Sequence, residues 1–331
     1  MTIDRRLLNW GFFFVLLGGI PLAVQQGWVA LDQIGSPWRL WPLILVGVGA
    51  GLLLRRTAAE PLGGLIVAGT FGFIFGALLA GGWSFGGACS AGSGQPETIY
   101  GDSGVFEGQG ASVEITFDCG DLRVVTASGR GWSLRAGDAS DHAPRVEHDA
   151  GSLRIRTDDD HDVPFMSGIR RDWTVTLPTE TALTFQLTAN GARGEIDLSG
   201  AQVNRLQATF SGWDGDVDLT AATVGGPQFS YPALELAYNA GSSTIRMPER
   251  STFHGVIQAN AGSIDLCLPD GVGLSAAVEG TAISTNFAGS GFVGSGGSYQ
   301  NPAYANATYR IDLEIHGNAA SFTLNPEGGC R

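Results

Sequence analysis

Leu7 to Val24 is a run of 18 residues without a charge, and two more such runs follow: Trp38 to Leu54, broken only by Arg39, and Leu62 to Trp83. A stretch of about 20 apolar residues matches the hydrocarbon thickness of a bilayer, so the sequence predicts an N-terminal domain, 1–85, of three membrane-spanning helices at 7–24, 38–54 and 62–83. A cleavable leader is the competing reading of the first run. Its arginine-rich flank, its length and the two runs behind it favour a retained anchor.

Arg5–Arg6 and Arg55–Arg56 border the first and second runs, whereas the loop 25–37 carries Asp32 alone. Cationic flanks stay cytoplasmic, which places the N-terminus inside and, after an odd number of spans, residues 84–331 outside. Trp10, Trp28, Trp38, Trp41 and Trp83 sit near the expected interfaces, where indoles prefer to lie. The expected setting is therefore a multi-pass plasma-membrane protein in contact with the lipid bilayer.

The third run repeats a small residue every fourth position, at Gly64, Ala68, Gly72, Gly76 and Ala80. Small side chains in line let a second helix approach closely. Packing inside the chain's own bundle is the plain use of that ridge; the sharper use is docking of a membrane signalling protein such as a sensor kinase. The segments Arg6-Leu7-Leu8, Gly18-Gly19, Trp38-Arg39-Leu40-Trp41-Pro42-Leu43-Ile44-Leu45-Val46-Gly47 and Arg55-Arg56 resemble the LiaF-type transmembrane region over about residues 5–83. That resemblance implies a β-rich domain behind the helices and a part in bacterial envelope-stress sensing or regulation through protein contacts. It brings no catalytic residue with it.

The composition changes near residue 90. Residues 1–88 hold Arg5, Arg6, Arg39, Arg55 and Arg56 against Asp4, Asp32 and Glu60, which leaves 14 of the 19 basic residues and 29 of the 32 acids for the remainder. So acidic a half repels phosphate backbones, and nucleic acid is excluded as a partner. All the basic residues are arginine, so P-loop and Schiff-base chemistry, which need lysine, are excluded as well.

Residues 86–97 are Gly/Ser-rich and form a linker. From 98 to 331 apolar and polar residues alternate, as in Trp173-Thr-Val-Thr-Leu, Leu183-Thr-Phe-Gln-Leu and Ile311-Asp-Leu-Glu-Ile, which predicts an all-β domain. A small polar residue with an apolar residue three before it and another six after it recurs at Asp118, Asp149, Asn190, Ser211, Asn239, Asn260 and Asn318. The middle four lie 21, 28 and 21 residues apart, near the period of β-solenoid rungs. Units such as Asn239-Ala-Gly-Ser-Ser-Thr-Ile-Arg-Met-Pro and Asn260-Ala-Gly-Ser-Ile-Asp-Leu-Cys-Leu-Pro resemble the toastrack, or adhesin-like, bacterial β-solenoid. The expected domain is thus a single-stranded, extracytoplasmic β-solenoid with a β-sandwich as the alternative. The spacing before Asn190 and the Gly/Ser-rich stretch 288–301 depart from the pattern, so the two ends fold differently from the middle.

The sequence yields no catalytic, cofactor or metal residue. Gly82-Trp83-Ser84-Phe85-Gly86 spells a nucleophile elbow, but an expected membrane helix precedes Ser84 where a strand is required. Asp158, Asp160 and Asp162 imitate the start of a calcium loop whose glycine and glutamate positions are filled by Val163 and Ile169. A looser cation site at 158–162 competes with a solvated acidic loop. Asp214, Asp216 and Asp218 alternate on one strand face, and His142, His148, His161, His254 and His316 have no zinc-ligand spacing. A polysaccharide-active β-helix enzyme is the remote alternative, without an assignable carboxylate pair.

Cys89, Cys119, Cys267 and Cys330 all follow the last apolar run and allow three pairings. Stacking of the rungs in order favours Cys267 with Cys330. The functional expectation is a non-enzymatic envelope protein that senses or regulates stress; the alternative is a surface adhesin or structural module that binds an envelope glycan or protein.

Overall fold

In the segment 182–197 Leu183, Phe185, Leu187 and Ala189 are buried while Thr184, Gln186 and Thr188 turn outward, the period of two that a half-buried strand requires. Beyond Asn190 the parity changes. Ala192 and Ile196 are now the buried residues, so the strand bends and presents its core side inward on both arms. The same switch separates Phe117 from Leu122, Phe210 from Trp213, Tyr238 from Ile245, Ala259 from Ile264 and Ile315 from Phe322. A bend that skips one side chain needs a residue outside the β region, and Gly120, Gly191, Gly212, Gly241 and Gly262 supply it with positive φ. Gly241 illustrates the constraint: a Cβ there would sit 1.9 Å from the Trp213 carbonyl oxygen.

The structure is a computed structural model that describes residues 11, 13–15, 67–71, 98–138, 143–157, 171–225, 232–326 and 330. The chain divides into two compact units, Met1–Gly87 and Ala88–Arg331. In the second unit the strands are, in order, β1 (Thr98–Val105), β2 (Gly110–Ala127), β3 (Gly131–Asp138), β4 (Arg145–His148), β5 (Ser152–Arg156), β6 (Arg171–Pro178), β7 (Ala182–Asp197) and β8 (Gln202–Asp218). They continue as β9 (Thr223–Val224), β10 (Leu234–Arg246), β11 (Phe253–Cys267), β12 (Gly273–Gly280), β13 (Ser284–Thr285), β14 (Val293–Ser295), β15 (Ser298–Gln300) and β16 (Arg310–Leu324).

The long bent strands β2, β7, β8, β10, β11 and β16 lie side by side, parallel and in register. Register makes columns of like-placed side chains that mix large and small residues: Phe117, Ala189, Phe210, Tyr238 and Ala259 are successive neighbours. Phe210 stacks on Tyr238 at 4.7 Å and meets the Trp213 ring at 4.8 Å. The Tyr238 hydroxyl donates to Ser243 Oγ, 3.1 Å away, which satisfies the one polar atom of that buried ring. Side chains of both arms join one continuous core, each worth roughly 1.5–3 kcal/mol when fully buried.

At the ends the chain leaves this sequential path. β16 enters between β11 and β12, although β12 precedes it by a whole excursion of chain. At the other end β5 and β6 lie on one side of β2 while β7 lies on the other. Antiparallel pairings β1·β3, β3·β6, β4·β5, β12·β15 and β14·β15 then close the stack. Terminal strands need such closure because an open parallel edge is a template for aggregation.

The expected fold is corrected on two counts. Among the described residues the α-helical ones are 11, 13–15 and 67–71, a 3-10 turn forms at Phe287–Ser290, and none belongs to a helix long and apolar enough to cross a membrane. No three-helix transmembrane bundle is seen among the described residues; the span expected at 38–54 lies wholly outside them, as does most of 7–24 and 62–83. In place of a single-stranded solenoid or the two packed sheets of a sandwich, the β unit forms one mixed sheet of sixteen strands. The physical reason is the inserted β16 and the antiparallel ends, which a purely sequential winding does not contain.

Six of the seven recurrent polar residues come together at the bends. Asn190 Nδ2 donates to Asp118 Oδ1 at 2.6 Å, Asn239 to Ser211 Oγ at 3.0 Å, Asn260 to Asn239 Oδ1 at 3.1 Å and Asn318 to Asn260 Oδ1 at 2.8 Å. Asp149 stands apart, in a tight turn of its own.

A candidate ligand-binding cleft

Glu114 lies on an outward position of the first arm of β2, where register sets it opposite Arg154 of β5. The β4·β5 hairpin sets Glu147 opposite the same arginine. The result is a cross-strand row, Glu114–Arg154–Glu147, in which Arg154 Nε donates to Glu114 at 2.8 Å and Arg154 Nη1 stands 3.7 Å from Glu147. Arg156 holds the other oxygen of Glu114 at 2.9 Å, and Arg145 pairs with Glu147 at 3.2 Å. Opposite charges facing one another across strands are the sheet's own way of fixing polar side chains.

Glu114, Arg154 and Glu147 line a cleft of about 240 Å³ together with Ser112, His148, Asp149 and Ser152. His148 is exposed, and its ring lies 5.2 Å from that of the buried Trp132, which fixes its orientation. Asp149 Oδ1 accepts the N–H groups of Gly151 at 2.9 Å and Ser152 at 2.7 Å, an Asx turn that shapes the cleft rim. The Gly151 N–H, then the Ser152 hydroxyl and N–H, hold the Asp149 carboxyl below the usual carboxylate range.

Burial alone would raise the pKa of Glu114, but the hydrogen bonds and charges of Arg156 and Arg154 outweigh it and leave the group lowered from 4.5. A carboxyl with a depressed folded-state pKa contributes stability above its unfolded value, and that contribution is lost as pH falls through the folded one. Acid titration of the wild-type melting temperature is therefore expected to show a decline below about pH 4.5 that Glu114→Gln reduces. An identical acid limb in both proteins would mean that Arg154 and Arg156 do not hold Glu114 in solution.

The sequence-derived candidates fall elsewhere. Of the small-residue ridge, Ala68 alone is described, in the helical piece 67–71; Gly64, Gly72, Gly76 and Ala80 lie outside the described residues, as do Ser84 and the acidic stretch 158–162. Cys267 and Cys330 are joined in a disulfide with their Cα atoms 5.5 Å apart, and Cys119 is disulfide-bonded too. Asp214, Asp216 and Asp218 share a face of β8, where Asp214 accepts from Ser242 at 2.7 Å, Asp216 from Arg246 at 3.3 Å and Asp218 from the Thr220 N–H at 2.9 Å. No group of three or more His, Cys, Asp or Glu side chains suited to a metal ion occurs among the described residues. Sequence reasoning missed the cleft. Its signal is the pair Arg154 and Arg156 with Glu114, which becomes visible only when the β2·β5 register is known.

No family model and no curated protein matches the sequence. Among solved structures the chain is similar to a candidate cell adhesion protein from Clostridium sporogenes, at 16% identity over 69% of this chain and 99% of that one, with a TM-score of 0.40. It is also similar to a candidate adhesin from Bacteroides fragilis, at 15% identity over 69% of this chain and 97% of that one, with a TM-score of 0.27.

Proposed function

We propose that the β unit is an adhesin-type binding module that works outside the cytoplasm and holds a component of a cell surface in the Glu114–Arg154–Glu147 cleft. The observation that carries this reading is the state of the charged groups there. A carboxyl that delivers a proton near neutral pH needs a raised pKa, and the two arginines hold Glu114 the opposite way. Side chains that are fixed and already paired orient a ligand through their remaining lone pairs. The Cys267–Cys330 bridge supports a location outside the reducing cytoplasm.

The test is the retention of the purified chain on intact bacterial cells and on isolated envelopes. Ser112 is exposed at the cleft mouth on β2, and an aromatic side chain at an outward strand position suits the sheet while filling the space. Ser112→Trp is expected to reduce retention about tenfold or more with an unchanged melting temperature. Equal retention of both proteins, or none of either on any surface, would overturn the reading.

A further inference from the structure

We propose that the cleft takes an uncharged, polyhydroxylated ligand, the terminal sugar of a neutral glycan; this rests on the binding reading above and names its ligand class. Three carboxylates, Glu114, Glu147 and Asp149, face the cleft, and each is already matched. Arg156 and Arg154 bind Glu114, Arg154 and Arg145 bind Glu147, and backbone N–H groups bind Asp149. An incoming anion would meet those carboxylates, and an incoming cation would have to displace an arginine from a contact as short as 2.8 Å. Breaking a matched pair leaves its partner uncompensated, which is costlier than adding to it.

A neutral hydroxylated ring avoids both costs. A carboxylate has about four lone-pair sites, so Glu114 and Glu147 accept ligand hydroxyls while keeping their arginines, and Ser112 and Ser152 both donate and accept. His148, exposed at the rim with its ring 5.2 Å from that of Trp132, adds a flat ring face beside these polar groups, while Leu153 beneath it is 1% exposed and belongs to the core. A pyranose presents this division, hydroxyls at its rim and C–H groups on its face. The cleft's volume, about 240 Å³, is below the roughly 300–1,000 Å³ typical of sites that enclose drug-sized ligands, so one end of a glycan enters rather than its length.

The experiment titrates the full purified chain against immobilised oligosaccharides that differ at their terminal residue: neutral hexoses and N-acetylhexosamines, anionic uronic and sialic acids, and cationic hexosamines, each at low and high salt. Binding to a subset of the neutral termini, with little dependence on salt and an affinity about tenfold weaker in both Ser112→Trp and Glu114→Gln, is the expected result. Ser112→Trp leaves every ion pair of the cleft in place, so a folding defect in Glu114→Gln does not mask the outcome. Binding confined to charged termini, or steeply salt-dependent, would overturn the neutral-sugar assignment and leave the binding module standing. Failure with every saccharide while Ser112→Trp still abolishes retention on cells would do the same and point to a protein ligand. Saccharide binding that Ser112→Trp does not weaken would overturn the assignment of ligand to this cleft.

Discussion

Replacing Cys267 and Cys330 together by serine is expected to lower the unfolding free energy by about 4 kcal/mol, the loop-closure contribution of a bridge spanning 63 residues. The location makes this more than an entropic constraint on the unfolded chain. β16 lies between β11 and β12, and the bridge joins the last residue of β11 to a residue just beyond β16, so it ties the inserted strand to its neighbour. The excursion from Leu268 to Tyr309 has to leave room for β16 before that strand can dock. Urea titration of the double-serine chain reads the loss, and hydrogen exchange locates it, with β12 and β16 opening before β7 and β8. A loss below about 1 kcal/mol would mean that the β11·β16 ladder alone fixes the inserted strand. The double variant is preferable to a reductant, which would also cut the disulfide of Cys119.

Trp213→Ala is expected to cost about 3–5 kcal/mol, the range for emptying a large aromatic site in a close-packed interior. Trp213 is fully buried, its ring lies against Phe210, and its edge covers Gly215, where a Cβ would come within 2.8 Å of Trp213 Cζ2 and 2.0 Å of the Gly194 carbonyl oxygen. Gly194 and Gly215 are neighbours in the β7·β8 register, so the indole fills the space that two absent side chains leave. Its Nε1 has no hydrogen-bond partner among the described residues, and an unmet donor in the interior is itself unfavourable. Trp213→Phe, which removes that donor and keeps most of the ring, is therefore expected to cost much less than Trp213→Ala in the same denaturation experiment. Equal losses would show that the indole N–H is satisfied in solution.

The alternation of Leu183 to Leu187 and of Ile311 to Ile315 is local, and both segments are strands. The recurrent template is legible for a further reason: positions three before and six after an anchor differ by nine, an odd number, so both face inward only where the strand switches parity. At Asn190, Asn239 and Asn260 a glycine with positive φ one or two residues on makes that switch. Asp149 matches the same letters but spends its carboxylate on Gly151 and Ser152 in a turn, which no spacing rule distinguishes.

The order of strands was not legible. The insertion of β16 between β11 and β12 is decided by non-local pairing, and nothing in the letters of 310–324 says which neighbour precedes it. Of the apolar runs near the N-terminus the described residues are 11, 13–15 and 67–71, and none belongs to a helix long and apolar enough to cross a membrane. The cleft was hidden for the same reason as the strand order. Glu114 and Arg154 are 40 residues apart and meet only through the β2·β5 ladder.

The most direct measurement of the central claim is hydrogen exchange of the full chain, alone and while retained on the cell envelopes that bind it. Added protection is expected over Glu147–Arg154 and around Ser112, with the β8 face that carries Asp214, Asp216 and Asp218 unchanged. Protection on that acidic face with none at the cleft would contradict it.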